Sequence, residues 1–114
     1  MTNINTKLFK ALSDSGRLRI LKMLQYRSLC VCEITSVLKL ATSTVSKHLQ
    51  VLKDAGFIIE EKDGKWVNYK LNSSSTDPRV ISILTTLDFW IADKKNLEKD
   101  KEIVYKVDRV LLCK

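Results

Sequence analysis

Apolar residues recur at intervals of three and four along most of the chain and give way once to extended runs. Leu8, Phe9, Ala11 and Leu12 form a first helical stripe, and Ser13-Asp14-Ser15-Gly16 supplies a break with candidate caps. In residues 17–24, Leu18, Ile20, Leu21 and Leu24 make one buried face and the Arg and Lys lie outside it. Ile34, Val37 and Leu38 predict a short third helix ending around Lys39, and Val45, Leu49 and Leu52 a fourth from about Thr42 to Ala55, stopped by Gly56. Two extended runs, Phe57-Ile58-Ile59 and Trp66 to Leu71, flank Asp63-Gly64, a strong short hairpin signal. After the loop Ser73-Ser74-Ser75-Thr76, Asp77 predicts an N-cap with Pro78 at the first helical position. The long helix expected there carries Val80, Ile81, Leu84, Leu87, Trp90 and Ile91, an apolar face too wide for a chain this small to bury alone, so a homodimer is expected. A charged run from Lys94 to Glu102 leads to a second stripe, Ile103, Val104, Val107, Val110 and Leu111, then Cys113, read as an extension of the dimer or a loosely ordered tail.

Helices two to four followed by a hairpin make a winged helix-turn-helix, a mainly α fold with a β-hairpin wing. Residues 1–92 are expected to form the DNA-binding and dimerisation domain and residues 93–114 a C-terminal helical extension or tail. The 114 residues suffice for about one domain with a modest core. The net charge of +7 is unevenly placed: residues 1–53 hold nine Lys and Arg against Asp14 and Glu33, whereas residues 54–114 hold eleven of each sign. Concentrated positive charge favours a polyanion such as nucleic acid; the plainer alternative is a solvated basic surface. The N-terminal stretch lacks the apolar run of a signal peptide, and no segment approaches the roughly 20 apolar residues of a membrane span, so a cytoplasmic protein without a membrane partner is expected. With His48 the sole histidine and no Gly-rich phosphate loop, no catalytic constellation is legible and the chain is not expected to be an enzyme.

The outer face of the fourth helix is polar and short-chained: Ser43, Ser46, Lys47 and Gln50, with Thr44 to one side. Small hydroxyls let a helix approach base edges, Gln50 can pair with adenine, and Lys47 with guanine or phosphate. His48 projects near the edge of the apolar face, where packing and base contact are both open. Lys62 and Lys65 flank the hairpin tip within reach of a phosphate or minor groove, while Glu60 and Glu61 argue against close DNA contact at the strand base. Candidate DNA-binding residues are therefore Ser43, Thr44, Ser46, Lys47, His48, Gln50, Lys62 and Lys65.

Cys30 and Cys32 open the third helix, just upstream of the recognition helix. Residues two apart in an ideal helix point roughly 200° away from each other, so Cys30 must sit at or before the helix start, or the first turn must deform. Three cysteines in a reducing compartment do not make a disulfide framework, and pairing within Cys-x-Cys would strain the ring, which leaves metal or metalloid chemistry or simple packing as small apolar side chains. A helix N-terminus is expected to lower a thiol's pKa.

At the residue level the chain resembles the ArsR/SmtB family of metal-responsive repressors over roughly residues 7–91. The carriers are Ala11-Leu12-Ser13-Asp14 with Arg17-Leu18-Arg19-Ile20-Leu21, Ser43-Thr44-Val45-Ser46-Lys47-His48-Leu49 with Leu52 and Ala55-Gly56, and Gly64-Lys65 with Tyr69 and Leu71. Leu29-Cys30-Val31-Cys32-Glu33-Ile34 looks like the thiolate box of the arsenic- and cadmium-sensing branches. The resemblance implies a homodimeric repressor of double-stranded operator DNA with no constitutive cofactor, released when As(III) or Sb(III) binds Cys30 and Cys32; Cys113 is the one other candidate thiolate, expected to tighten binding without being required, with a free terminal thiol as the alternative. Its alternatives are a Cd(II)-, Pb(II)- or Zn(II)-responsive repressor of the same fold, or a winged-helix module whose cysteines are only packed. The chain departs from the family's pattern at two positions and lacks the further ligands of two of its branches. Ala41 stands where a capping Ser is common, so Thr42 or Ser43 is expected to take over the cap. Thr35 occupies the place of a third Cys one turn after the pair. Residues 1–29 lack the cysteines of the cadmium branch, and the last helix lacks the histidines of a zinc site.

Overall fold

The structure is a computed structural model that describes residues 4–91 and 94–108, residues 4 and 94–97 by backbone alone. Its elements are α1 (Ile4–Ala11), α2 (Ser15–Tyr26), β1 (Leu29–Cys30), α3 (Val31–Leu38), α4 (Thr42–Asp54), β2 (Ile58–Asp63), β3 (Trp66–Leu71), α5 (Pro78–Thr85), α6 (Leu87–Trp90) and α7 (Lys94–Lys106). The Asp14 carboxylate accepts the Arg17 N–H at 3.1 Å and starts α2; Asp77, with Pro78 at the first position, does the same for α5 through the Arg79 N–H at 2.9 Å. Lys39 ends α3 in the left-handed region (φ 57°, ψ 41°), its N–H donating to the Thr35 carbonyl, and the chain turns there into α4. Ile20, Leu21 and Met23 of α2 meet Ile34 of α3, Val45, Leu49 and Leu52 of α4, and Phe57 and Ile58 in one core. Leu18, expected on the buried face, is only half-buried, and Met23 is fully enclosed.

The sheet is antiparallel in the order β1-β3-β2. Asp63 pairs with Trp66, so the two-residue turn of the hairpin is Gly64-Lys65, one position beyond the Asp-Gly expected, with Gly64 at φ +61°. The two-residue strand β1 had no signature in the sequence; it sets Leu29 opposite Tyr69 and Cys30 opposite Asn68.

Two parts of the second half differ from expectation. The single long helix after Pro78 breaks at Thr86, where the Thr85 and Thr86 hydroxyls bond back to the Ile81 and Ser82 carbonyls at 2.6 and 2.7 Å and compete with the helical ladder. Val80 and Leu87 consequently enter the molecule's own core, while Ile81, Phe89 and Trp90 stay exposed. The charged run from Lys94 forms the body of α7, which packs across α2 and α3 of its own chain. Val104 is buried, Asp100 accepts two hydrogen bonds from the Arg19 guanidinium at 2.8 and 2.9 Å, and the Lys101 ammonium lies 5.4 Å from the Tyr26 ring centre. Val110, Leu111 and Cys113 lie outside the described residues.

Candidate sensing site and nucleic-acid interface

Cys30 is both the last residue of β1 and the N-cap of α3, in extended backbone (φ −89°, ψ 169°), and Cys32 lies in the first turn. The helix therefore begins after the first thiol, as the spacing requires. Glu33 closes a capping box: its Oε1 accepts the Cys30 N–H at 3.0 Å while the Cys30 sulfur faces the Glu33 N–H. Only 3% of Cys30 is exposed. Burial pushes its thiol pKa up and the Glu33 carboxylate adds to the rise, against the Glu33 N–H, which pulls it down. The expected lowering by the helix N-terminus thus does not hold, because loss of hydration outweighs the terminal amides. Cys30 is a free thiol, and Cys32 is disulfide-bonded, contrary to the expectation that these cysteines form none; the bond does not join the two.

Glu33 also pairs with Arg27, whose Nη2 donates to its Oε2 at 2.9 Å. Beside this pair a cavity of about 620 Å³ opens between Ser28, Asn68 and the end of α7. Thr35, in the place of a third thiol, donates its hydroxyl to the Cys32 carbonyl at 2.8 Å. Among the described residues no three His, Cys, Asp or Glu side chains come together as a metal site.

Helix α4 follows α3 after a short turn, and Ser43, Thr44, Ser46, Lys47 and Gln50 are all exposed on it. Gln50 Nε2 donates to Asp54 Oδ1 at 2.7 Å. The N-cap of α4 is Ala41 and makes no side-chain cap bond, so neither Thr42 nor Ser43 assumes that position. His48 turns toward the body of the domain: its Nδ1 lies 3.2 Å from an Arg17 guanidinium nitrogen and its Nε2 3.7 Å from Asp14. Arg17 in turn donates to the Ala11 and Lys10 carbonyls, which ties α4 to the α1–α2 corner. Lys62 and Lys65 are exposed at the wing, with the Lys65 ammonium 5.0 Å from the Trp66 ring centre. The positive excess of the first half is partly internal: Arg17, Arg19, Lys22 and Arg27 bond within the chain, Lys22 to Asp88, while Lys7, Lys10, Lys39 and Lys47 are exposed.

Residues 14–60 match the family model described as bacterial regulatory protein, arsR family. The cadmium resistance transcriptional regulatory protein CadC of Listeria innocua is 44% identical over 90 residues, which cover 78% of this chain and 70% of that protein. The chain belongs to the arsR family of bacterial regulatory proteins. The arsenical resistance operon repressor of Escherichia coli is 39% identical over 67 residues, 58% of this chain and 57% of its own, so the match spans a little over half the length of that relative. Among solved structures, the homodimeric winged helix-turn-helix DNA-binding domain of a possible ArsR-family transcriptional regulator from Mycobacterium bovis superposes with a TM-score of 0.65 at 23% identity, covering 76% of this chain and 77% of that one. The fold is the winged helix-turn-helix. In this ArsR-family chain α3 and α4 are its two helices and β2–β3 its wing. Sequence reasoning missed Arg27 and Glu33, although Glu33 stands three residues after Cys30, the spacing of a capping box.

Proposed function

We propose that the chain is a transcriptional repressor that binds two-fold operator DNA as a homodimer and is released when trivalent arsenic or antimony binds Cys30 and Cys32 of the reduced protein. The observation that carries this reading is the placement of a buried thiol at the N-cap of α3, the helix that leads through a short turn into α4, whose outer face is exposed hydroxyls, Lys47 and Gln50. Hydroxyls and uncapped first-turn amides suit phosphate oxygens, and Gln50 and Lys47 suit base edges. Lys62 and Lys65 add phosphate contacts from the wing. The exposed Phe9, Ile81, Phe89 and Trp90, flanking apolar hollows along α1, α5 and α6, favour self-association, and the Mycobacterium bovis relative is homodimeric.

Each thiol displaces one hydroxyl of As(OH)₃ as water, so the sulfur's proton leaves with that oxygen. A raised Cys30 pKa slows this attack without changing its stoichiometry. Cys30 stands before the helix, buried and held through its N–H by Glu33, and Cys32 lies in the first turn, so drawing both sulfurs onto one ion is expected to shift the entrance of α3. The recognition helices, about 34 Å apart in a two-fold complex, then lose their simultaneous fit. Cys113 is the accessory third thiolate, tightening capture without being required. Operator release by arsenite, measured in reducing buffer for each Cys→Ser variant, tests this: Cys30→Ser and Cys32→Ser are expected to abolish release and Cys113→Ser to raise the arsenite needed. Full response in either of the first two overturns the site.

The CadC relative supports a second reading, Cd(II) or another soft divalent ion as inducer. Release by cadmium at concentrations where arsenite fails would favour it, and the same panel run with Pb(II) and Zn(II) ranks the ions.

A further inference from the structure

Arg27 occupies a junction that the DNA-binding machinery does not use. It follows the last residue of α2 in extended backbone, and its guanidinium reaches three other parts of the chain. Nε and Nη2 donate to the Val104 carbonyl at 3.2 and 2.9 Å, and Nη2 to the Val107 carbonyl at 3.0 Å. Val104 lies in the last turn of α7, whose carbonyls lack partners within the helix, and Val107 follows the helix directly, at the negative end of its dipole. The same Nη2 meets Glu33 Oε2 at 2.9 Å, and the other oxygen of that carboxylate, whose side chain is 4% exposed, holds the Cys30 N–H. An unbroken path of hydrogen bonds therefore runs from the end of α7 to the backbone of the buried thiol.

We propose that Arg27 is a positioning residue of the sensing site, a clasp that seats the end of α7 against the entrance of α3 and limits access to the Cys30 thiol. Its signalling consequence rests on the reading of Cys30 and Cys32 as inducer ligands; the clasp itself does not. Deforming the first turn of α3 pulls the Cys30 amide off Glu33, and a nearly enclosed carboxylate that loses one of its two partners must be rehydrated or swing away. The cavity beside it, walled by Arg27, Glu33 and residues 105–108, gives water the room to enter. Arg27 then loses its anion and α7 its fastening. Seated α7 and ligated Cys30 are alternatives, so capture of the inducer releases the helix and release of the helix eases capture.

The test uses the reduced full chain as wild type, Arg27→Gln and Arg27→Lys. Amide exchange over residues 103–107, alkylation of Cys30 by N-ethylmaleimide resolved from Cys32 by peptide mass, and operator affinity are measured with and without arsenite. Without arsenite, Arg27→Gln is expected to speed both exchange and Cys30 alkylation about tenfold or more, the effect of losing a charge-assisted hydrogen bond, with operator affinity unchanged. Arg27→Lys, a point charge without the planar fork, falls between the two and carries the test if the Gln variant does not fold. Exchange and alkylation at wild-type rates in the folded variant overturn the clasp. In the wild type, arsenite is expected to speed exchange over residues 103–107 as it releases the operator; release with unchanged exchange overturns the clasp and leaves the sensing site standing. If arsenite releases nothing, the sensing site fails and faster alkylation of Cys30 in Arg27→Gln still upholds the clasp.

Discussion

The pairing of Arg19 with Asp100 predicts an unequal response to removing either partner. The Asp100 side chain is 7% exposed and receives both bonds, whereas Arg19 is 38% exposed. Arg19→Met leaves a carboxylate enclosed under α7 without its cation, a change that costs about 3–5 kcal/mol for a fully buried pair. Partial exposure on the Arg19 side lets water replace some of what is lost, which brings the figure to about 2–3 kcal/mol. Asp100→Asn keeps the shape and one acceptor and leaves an arginine that solvent can reach, so about 1 kcal/mol is expected. At about 4 °C per kcal/mol for a domain of this size, the two variants should melt about 8–12 °C and about 4 °C below the wild type. Circular dichroism melts at one protein concentration and in one redox state give these values, since dimerisation and disulfide state also move the midpoint. The double variant should recover about 1–2 kcal/mol relative to the sum of the singles. Additive effects, or an Arg19→Met cost below about 0.5 kcal/mol, would refute the idea that this pair seats α7.

Lys47→Ala and Gln50→Ala should narrow the gap between operator and unrelated DNA, while Lys62→Ala and Lys65→Ala should weaken binding to all sequences and lower the salt slope by about one per contact, all readable by fluorescence anisotropy against salt. Trp90→Glu, at a residue 65% exposed beside Phe89, should shift sedimentation toward monomer and weaken operator binding with it, whereas a monomer that binds its operator unimpaired would remove the dimer from the account. Leu87, first expected on that face, is a poor probe because it is buried in the core. The Arg17 N–H holds the Asp14 carboxyl below its ordinary value of 3.8, so its contribution is fully present above that pH and is lost as pH falls through the lower folded value. Asp14→Ala, which removes the cap, should cost about 1 kcal/mol at neutral pH and flatten the acid limb of a pH series of urea melts; an unchanged limb would assign that limb to other carboxyls.

Helices α2 to α4 and the hairpin were legible because each carries its own period and its own punctuation: Asp14, Lys39 before Ala41, Gly56, and Gly64 at the turn. The exposed polar face of α4 was legible for the same reason, since exposure of Ser43, Thr44, Ser46, Lys47 and Gln50 follows from the positions of Val45, Leu49 and Leu52. A two-residue strand leaves no period to read, so β1 was missed. The break at Thr86 was hidden because the apolar spacing runs on through it while the interruption comes from hydroxyls bonding backwards. The rest of the site depends on partners far apart in sequence. His48 finds Arg17 31 positions away, so its local stretch left packing and base contact both open, and Arg27 finds Val107 80 positions away, so nothing in its own stretch singled it out. The same distance explains the charge asymmetry, part of which is neutralised by Asp88 and Asp100 from the second half.

The short strand β1 makes Cys30 a shared vertex. On one side its backbone is laddered to Asn68 in β3, the strand that carries the hairpin tip; on the other it opens α3, against which α4 is stacked. A pull on this one residue is therefore divided between two arms with different stiffness, a flat ribbon and a packed helix pair, and the arms cannot follow it by the same amount. The angle between them changes. Whatever surface requires both to touch at once is lost to a shift too small to separate either arm alone, and a sensor built at this vertex needs only a fraction of a helical turn of movement to be heard at both ends.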